Sequence, residues 1–409
     1  MTNTTLSSHS INKVPPPPGP RGHPVLGMLR EFRADMLGLY QQALRDYGDV
    51  IKLRFLWINT YAVSHPDLMQ HILQENNRNY RRNVFINRFV MMFLGEGLFT
   101  TDGESWLARR RLMQPAFHRQ RLSGLGTIMT EAAEAMVSTW DRHEPGEPLA
   151  VDEALMKLTL RVVGKALFSV DLLGAARELG DAFTEVSEYT NYRMQTPFPP
   201  PLWVPTTRNR RFKKALAALD RTIYALLDQR RQAHAAGQTD AAGDLLDMLM
   251  AARDQETGKG MSDQELRNEV ALLMFAGHDT TATALTWAFY LLSQNPEAEA
   301  KLHAELAREL AGRTPTMADL PRLSYTKMVI EETLRLYPPA WGVGRQSVDA
   351  DLVGGYAIPP NASLTLPFYV LHRDPRWWED PERFDPERFT PERSVRRHKF
   401  AYLPFGAGP

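Results

Sequence analysis

No cysteine occurs anywhere in the 409 residues. That excludes disulfides, thiolate-held metal sites and cysteine nucleophiles within the chain, and it argues against a secreted, disulfide-stapled domain. No apolar run reaches the ~18 residues of a membrane-spanning helix. Met1–Ser10 lacks both the basic start and the apolar stretch of a signal peptide. Net charge is missing too, because 48 Lys plus Arg balance 48 Asp plus Glu. No whole-molecule field therefore draws the chain to nucleic acid or to an anionic membrane. No linker divides it, although 409 residues is long for one domain. The expectation is a cytoplasmic protein with a flexible Pro-rich lead over residues 1–20 and a single domain over residues 21–409.

What is present is mostly helix. Val14-Pro15-Pro16-Pro17-Pro18-Gly19-Pro20 favours an extended polyproline conformation. Asp49 to Ser64 reads as two strands, since Ile51, Leu53 and Phe55 alternate with Lys52 and Arg54 and Ile58-Asn59-Thr60 makes a turn. Beyond Pro66, apolar residues recur three and four apart through 67–74, 104–117, 122–141, 151–168, 176–194, 208–236 and 240–252. Thr196-Pro197-Phe198-Pro199-Pro200-Pro201-Leu202-Trp203-Val204-Pro205 interrupts them as a stiff apolar loop. It suits a lid, a membrane-touching tip or a packed connector.

The longest helix starts at a capping box, Ser262-Asp263-Gln264-Glu265, and runs to about Ser293. Leu272-Leu273-Met274-Phe275-Ala276-Gly277 makes its middle apolar all round, which predicts burial. His278, Asp279, Thr280 and Thr281 follow directly, and burying such groups is costly unless they are used. A hydroxyl beside a carboxylate suits proton delivery, and Gly277 would let a flat ligand approach the backbone. The competing reading is a helix with back-bonded threonines and a packing glycine. Further on, Glu332 and Arg335 lie one helical turn apart among apolar neighbours, and Pro386-Glu387-Arg388-Phe389 supplies a second arginine able to share the glutamate.

With these residues in place, the chain resembles the cytochromes P450 from about Pro15 to Pro409. Four motifs carry the resemblance in the family's order: Ala276-Gly277-His278-Asp279-Thr280-Thr281, Glu332-Thr333-Leu334-Arg335, Pro386-Glu387-Arg388-Phe389 and Phe405-Gly406-Ala407-Gly408-Pro409. The resemblance implies a mainly α fold with small β-sheets, a helical prism built round the long central helix at about 262–293. It also implies haem b (iron protoporphyrin IX) and insertion of one oxygen atom from O2 into an organic substrate. Electrons would come ultimately from NAD(P)H through a separate ferredoxin, flavodoxin or reductase, since the chain has no flavin or iron–sulfur motif.

Residue by residue, the resemblance makes Asp279 and Thr280 the catalytic proton relay and Ala276 and Gly277 the groove over the haem face. Trp106, Arg110 and Arg345 match haem-propionate contacts, and Phe405 and Gly406 the turn of the cofactor loop. Glu332, Arg335 and Arg388 match a structural charge network. Phe85, Ile86, Phe89, Val90, Met91, Met92 and Phe93 would wall the pocket, suiting a lipophilic fatty acid, terpenoid or polyketide. Arg81 and Arg82 suit either a substrate carboxylate or solvated surface. One departure is plain: the family's axial cysteine follows the Phe-Gly-x-Gly turn, and this chain holds none. The expectation is a fragment, incomplete at its C-terminus and inactive as given. The alternative is a haem-free or non-catalytic P450-like ligand-binding protein.

Overall fold

The computed structural model describes residues 14–117, 124–144, 146–196, 198–237, 244–253 and 258–408. The expected tail at 1–13, the helical residues 122, 123 and 240–243, Pro197 and Pro409 lie outside these, as does the Ile86 side chain. The described residues form fifteen α-helices and seven short strands. In chain order the first are α1 (Leu29–Ala34), α2 (Met36–Tyr47), β1 (Val50–Phe55), β2 (Ile58–Val63), α3 (Pro66–Gln70, continued by a π-turn at His71–Glu75), β3 (Tyr80–Arg82), α4 (Val84–Leu94) and α5 (Gly103–Met113). Next come α6 (Leu125–Trp140), α7 (Val151–Phe168), α8 (Ala176–Gln195), α9 (Thr207–Ala235), α10 (Leu245–Ala251), α11 (Asp263–Gln294), α12 (Pro296–Leu310) and α13 (Ser324–Leu336). The last are β4 (Val343–Ser347), β5 (Asp351–Val353), β6 (Tyr356–Ile358), β7 (Ser363–Leu366), α14 (Phe368–Leu371) and α15 (Pro391–Ser394).

Two compact units result, one from residues 1–86, 291–299 and 325–409, the other from 87–290 and 300–324. The first holds every strand. Its five-stranded sheet has the order β1-β2-β7-β4-β3, with β2 and β7 parallel and the other pairs antiparallel. Ile51 and Leu53 are fully buried on one face beside Tyr40 and Ala43 of α2, while Val50 and Val63 pack with Met69, Ile72, Leu364 and Leu366. The Ile51–Leu53 face matches the alternation seen in the sequence, and the opposite face is buried as well at Val50. The proline-rich lead is held at this sheet, since the Lys52 amide donates to the Pro18 carbonyl at 2.7 Å. Beneath the sheet, one carboxylate oxygen of Asp351 accepts from the Tyr80 hydroxyl at 2.6 Å and Asn76 Nδ2 at 3.0 Å and lies 2.8 Å from His71 Nε2. The His71 ring is held above its usual pKa, first by its hydrogen bond to Asp351.

The second unit is helical. Its core joins Leu160 and Val163 of α7, Phe183 and Val186 of α8, Leu219, Ile223 and Leu227 of α9, Leu246 of α10, and Val270 and Met274 of α11. At the start of α11 the expected cap is present: the Ser262 amide donates to Glu265 at 2.9 Å and the Glu265 amide donates back to the Ser262 hydroxyl at 3.3 Å. The loop between α8 and α9 is pinned by Arg193, which donates to the Pro200 carbonyl, and by Asn209, which donates to those of Pro201 and Val204, each at 2.8 Å. Phe198 and Trp203 nevertheless stand exposed on it. No helix among the described residues is long and apolar enough to cross a membrane.

Candidate functional site

Helix α11 spans 32 residues and is buried over most of its middle. The exceptions are Ala276, Thr280 and Thr281, which are exposed. Ala276 and Thr280 are four residues apart, so they form one short strip along a single helix face. Thr280 donates its hydroxyl to the Ala276 carbonyl at 2.7 Å, the back-bonded geometry open to a helical threonine. The hydroxyl oxygen keeps lone pairs with which to accept a further hydrogen bond. Asp279 is half-buried, and burial holds its carboxyl above the usual aspartate range, so it keeps its proton to higher pH than a solvated aspartate.

Gly277 serves a different neighbour from the flat ligand expected of it. A Cβ there would lie 2.8 Å from Val163 Cγ2, so the missing side chain is what lets α7 and α11 pack closely. The exposed strip on this stretch is Ala276 and Thr280, where no side chain is larger than threonine. His278, absent from the sequence-derived site, points into the core at 1% exposure, 5.7 Å from the Phe183 ring. Neither ring nitrogen has a partner in the protein, and burial pushes its pKa down to about 4, so the ring is neutral.

In the same unit, α5 carries Trp106 and Arg110 on one face, with the Arg110 guanidinium 5.1 Å from the Trp106 ring centre. Arg110 is exposed and Trp106 half-buried, so both N–H sets can reach an added carboxylate. Of the expected wall residues, Phe89 and Phe93 are buried, Phe93 against Phe275 at 5.3 Å, and they form core rather than open lining. Val90 and Met92 are only partly buried.

The other unit holds the remaining expected residues. Arg345 lies in β4, paired with Leu364 of β7 and Arg82 of β3, and donates to the Gly344 carbonyl at 3.0 Å. Arg81 donates to the Asn361 side chain at 3.1 Å. Phe405 is 89% exposed on a turn closed by the Gly406 amide, which donates to the Leu403 carbonyl at 3.1 Å. Gly406 has φ +72° and Gly408 φ +109°, and a Cβ on Gly408 would lie 2.5 Å from the Leu73 carbonyl oxygen, so this turn requires glycine.

Glu332, Arg335 and Arg388 come together as one buried network. Glu332 accepts from Arg335 at 2.7 and 2.8 Å, from Arg388 Nε at 3.3 Å and from the Asp385 amide at 2.9 Å. The two Pro-Glu-Arg-Phe turns divide their labour. Arg383 contributes only its carbonyl to Arg335, whereas Arg388 contributes its guanidinium. Arg397, which sequence reasoning missed, stacks 4.1 Å above the Trp378 ring and donates to the Arg388 carbonyl at 2.6 Å. Burial and the neighbouring arginines depress its pKa to about 10. His372 is fully buried, accepts from the Leu403 amide at 2.8 Å, and has its pKa lowered to about 3 by burial and by Arg335. No group of three or more possible metal-ligating His, Asp or Glu side chains occurs among the described residues.

Comparison with known proteins adds an independent observation. The family model described as cytochrome P450 matches residues 17–409. Cyclooctatin synthase of Streptomyces melanosporofaciens is 40% identical over 367 residues, covering 90% of this chain and 78% of that protein. Cyclooctat-9-en-7-ol 5-monooxygenase of the same organism is 34% identical over the same share of each chain. Pentalenene oxygenase of Streptomyces avermitilis is 33% identical over 371 residues, 90% of this chain and 80% of its own.

Proposed function

Because the chain belongs to the cytochrome P450 family, we propose that residues 21–409 act as one catalytic domain of a haem-thiolate monooxygenase acting on a lipophilic, terpenoid-type molecule. The observation that carries this reading is the open Ala276–Thr280 strip directly after the buried stretch 266–274 of α11, next to a carboxyl group that burial holds above the usual aspartate range. Haem b, when bound, would supply the activation of O2. Within the helical unit, Trp106 and Arg110 would meet its propionates and Ala276 would approach its ring; the family resemblance separately assigns Arg345 a propionate contact and Phe405 and Gly406 the cofactor loop. Asp279, whose carboxyl burial shifts toward the protonated form, adjoins Thr280, whose hydroxyl oxygen can accept a hydrogen bond and relay a proton. NAD(P)H would be the electron source, delivered by a separate protein.

Support for the substrate class comes from relatives whose names denote an unsaturated hydrocarbon and an unsaturated alcohol, pentalenene and cyclooctat-9-en-7-ol. The mostly apolar character of α4 agrees with such a ligand. A non-catalytic, ligand-binding reading is favoured by one observation, the Thr280 hydroxyl already donated to Ala276. The chain contains no cysteine, so the axial thiolate is not among its residues. The deciding experiment is the reduced, carbon-monoxide difference spectrum of this chain and of any longer reading frame that contains it, both made with haem supplied. A thiolate-type band in the longer protein alone supports the monooxygenase reading and the inactivity of the 409 residues by themselves. No such band in either protein overturns it in favour of ligand binding.

A further inference from the structure

Three consecutive residues of α11, Arg267, Asn268 and Glu269, are all buried, at 4%, 4% and 0% exposure. Successive helical side chains point about 100° apart, so three in a row reach one partner only if that partner wraps round the helix. The segment after α4 does so. Arg267 donates to the Phe93 carbonyl at 2.6 Å, Asn268 Nδ2 to the Glu96 carbonyl at 3.0 Å, and the Leu98 amide donates to both oxygens of Glu269 at 3.0 and 3.2 Å. Gly95 has φ +68°, and a Cβ there would meet Asn268 Oδ1 at 2.3 Å, so the approach depends on glycine. Thr100 closes the turn, accepting from the Gly97 amide at 2.8 Å and donating to the Gly95 carbonyl at 2.7 Å.

Glu269 also meets α5. Arg109 lies 3.3 Å from Glu269 and 3.2 Å from Glu265, with its side chain only 12% exposed. Arg109 adjoins Arg110 and stands three residues from Trp106, so its anchor fixes the rotation of the helix that presents both. Arg267, by contrast, is neutralised separately by Asp220 at 2.5 Å. The carboxylate of Glu269 is therefore where two connections meet: the turn that follows the proposed pocket wall and the helix that carries the proposed propionate donors.

We propose that Glu269 is a positioning residue, locking segment 95–101 and helix α5 to one point on α11 and thereby setting the aim of Trp106 and Arg110. The role assigned to those two side chains rests on the proposed function, whereas the coupling itself does not. Glu269→Gln keeps an acceptor for the Leu98 amide and loses the charge facing Arg109. Glu269→Leu loses both. The test is hydrogen exchange of this chain by mass spectrometry, with a double-mutant cycle against Arg109→Gln.

The expected result for Glu269→Leu is roughly tenfold faster exchange in both 95–101 and 103–113. For Glu269→Gln it is faster exchange confined to 103–113, with a smaller further change when Arg109→Gln is added than Arg109→Gln causes in the parent, the remainder being the lost Arg109–Glu265 pair. A merely structural role would instead speed exchange across the unit, including α9. That pattern, or unchanged exchange in both segments of Glu269→Gln and Glu269→Leu, overturns the proposal. Should Glu269→Leu fail to fold, Glu269→Gln and Arg109→Gln decide the matter alone. Haem titrated against tryptophan fluorescence should bind about fivefold more weakly to Glu269→Gln than to the parent. Unchanged haem affinity with accelerated exchange would support the coupling and overturn instead the placement of Trp106 and Arg110 at the cofactor.

Discussion

Replacing Glu332 by glutamine tests the charge network where its balance is weakest. The native carboxylate accepts two hydrogen bonds from Arg335 and one each from Arg388 and the Asp385 amide, at 0% exposure. Glutamine at this position would keep the shape, remove the one negative charge facing both buried guanidiniums, and aim an amide N–H at one of them. Breaking a buried pair in this way costs about 3–5 kcal/mol, because the stranded charge has no water to turn to. Arg388→Met should cost less, about 1–2 kcal/mol. Burial and the Arg335 charge already disfavour its charged form, although the change forfeits bonds to the carbonyls of Asp380 at 2.6 Å and Glu379. With a denaturation slope of about 3 kcal/mol per molar urea, a loss of ~4 kcal/mol lowers the unfolding midpoint by roughly 1.3 M. Tryptophan fluorescence follows the transition directly, since Trp378 packs 5.1 Å from the Arg335 guanidinium. A Glu332→Gln cost below about 1 kcal/mol, or a larger loss in Arg388→Met than in Glu332→Gln, would refute the account of Glu332 as the counter-charge that both guanidiniums share.

Acid should destabilise the fold through His278 and His372. Their native pKa values are depressed to about 4 and about 3, while an unfolded histidine titrates near ~6.5. Their contribution is complete above about pH 6.5 and is lost as pH falls toward those values, at up to about 1.4 kcal/mol per pH unit each. Urea midpoints measured between about pH 6 and pH 4.5 should fall less steeply in His372→Asn or His278→Asn than in the parent. Asp279→Asn in a haem-loaded, turnover-competent form of the protein should lower turnover by about 100-fold without changing substrate affinity, a split read from steady-state kinetics and a binding titration. Gly95→Ala should cost about 1–3 kcal/mol, since it combines a left-handed backbone with a clash against Asn268, and thermal unfolding measures it.

Much of this molecule could be read before its structure was known, and the divide follows the range of the interactions. Helix α7 begins and ends where periodicity placed it, at 151 and 168, and Ser262 and Glu265 form the reciprocal cap their spacing called for. Such features depend on neighbours within one turn. The Glu332–Arg335 pair was legible for the same reason, and Arg388 because its turn repeats a recognisable phrase. Arg397 carried no comparable signal, being one of several arginines in a polar stretch. Gly277 was visible as an exception within an apolar helix, but its neighbour, Val163, lies more than a hundred residues away and only the packing of α7 reveals it. The run Arg267-Asn268-Glu269 offered the clue that was missed: three adjacent polar residues on a helix about to become wholly apolar leave no face free for water.

The strand order sets a timetable for synthesis. Thr60 of β2 pairs with Ser363 of β7, roughly 300 positions later, and β2 is the link that ties β1 into the five-stranded sheet. At about 5–20 residues per second a ribosome needs some 15–60 s to make the intervening chain. Through that interval the β1–β2 hairpin has an unpaired edge carrying Thr60, Tyr61 and Ala62, while residues 87–290, whose described part is mostly helix, emerge with many short-range contacts. Helical structure is thus expected to form on the nascent chain well before the sheet can close. The hazard of aggregation falls on the earliest strands to be made, and a chaperone that shields them gives the greatest benefit during translation rather than after it.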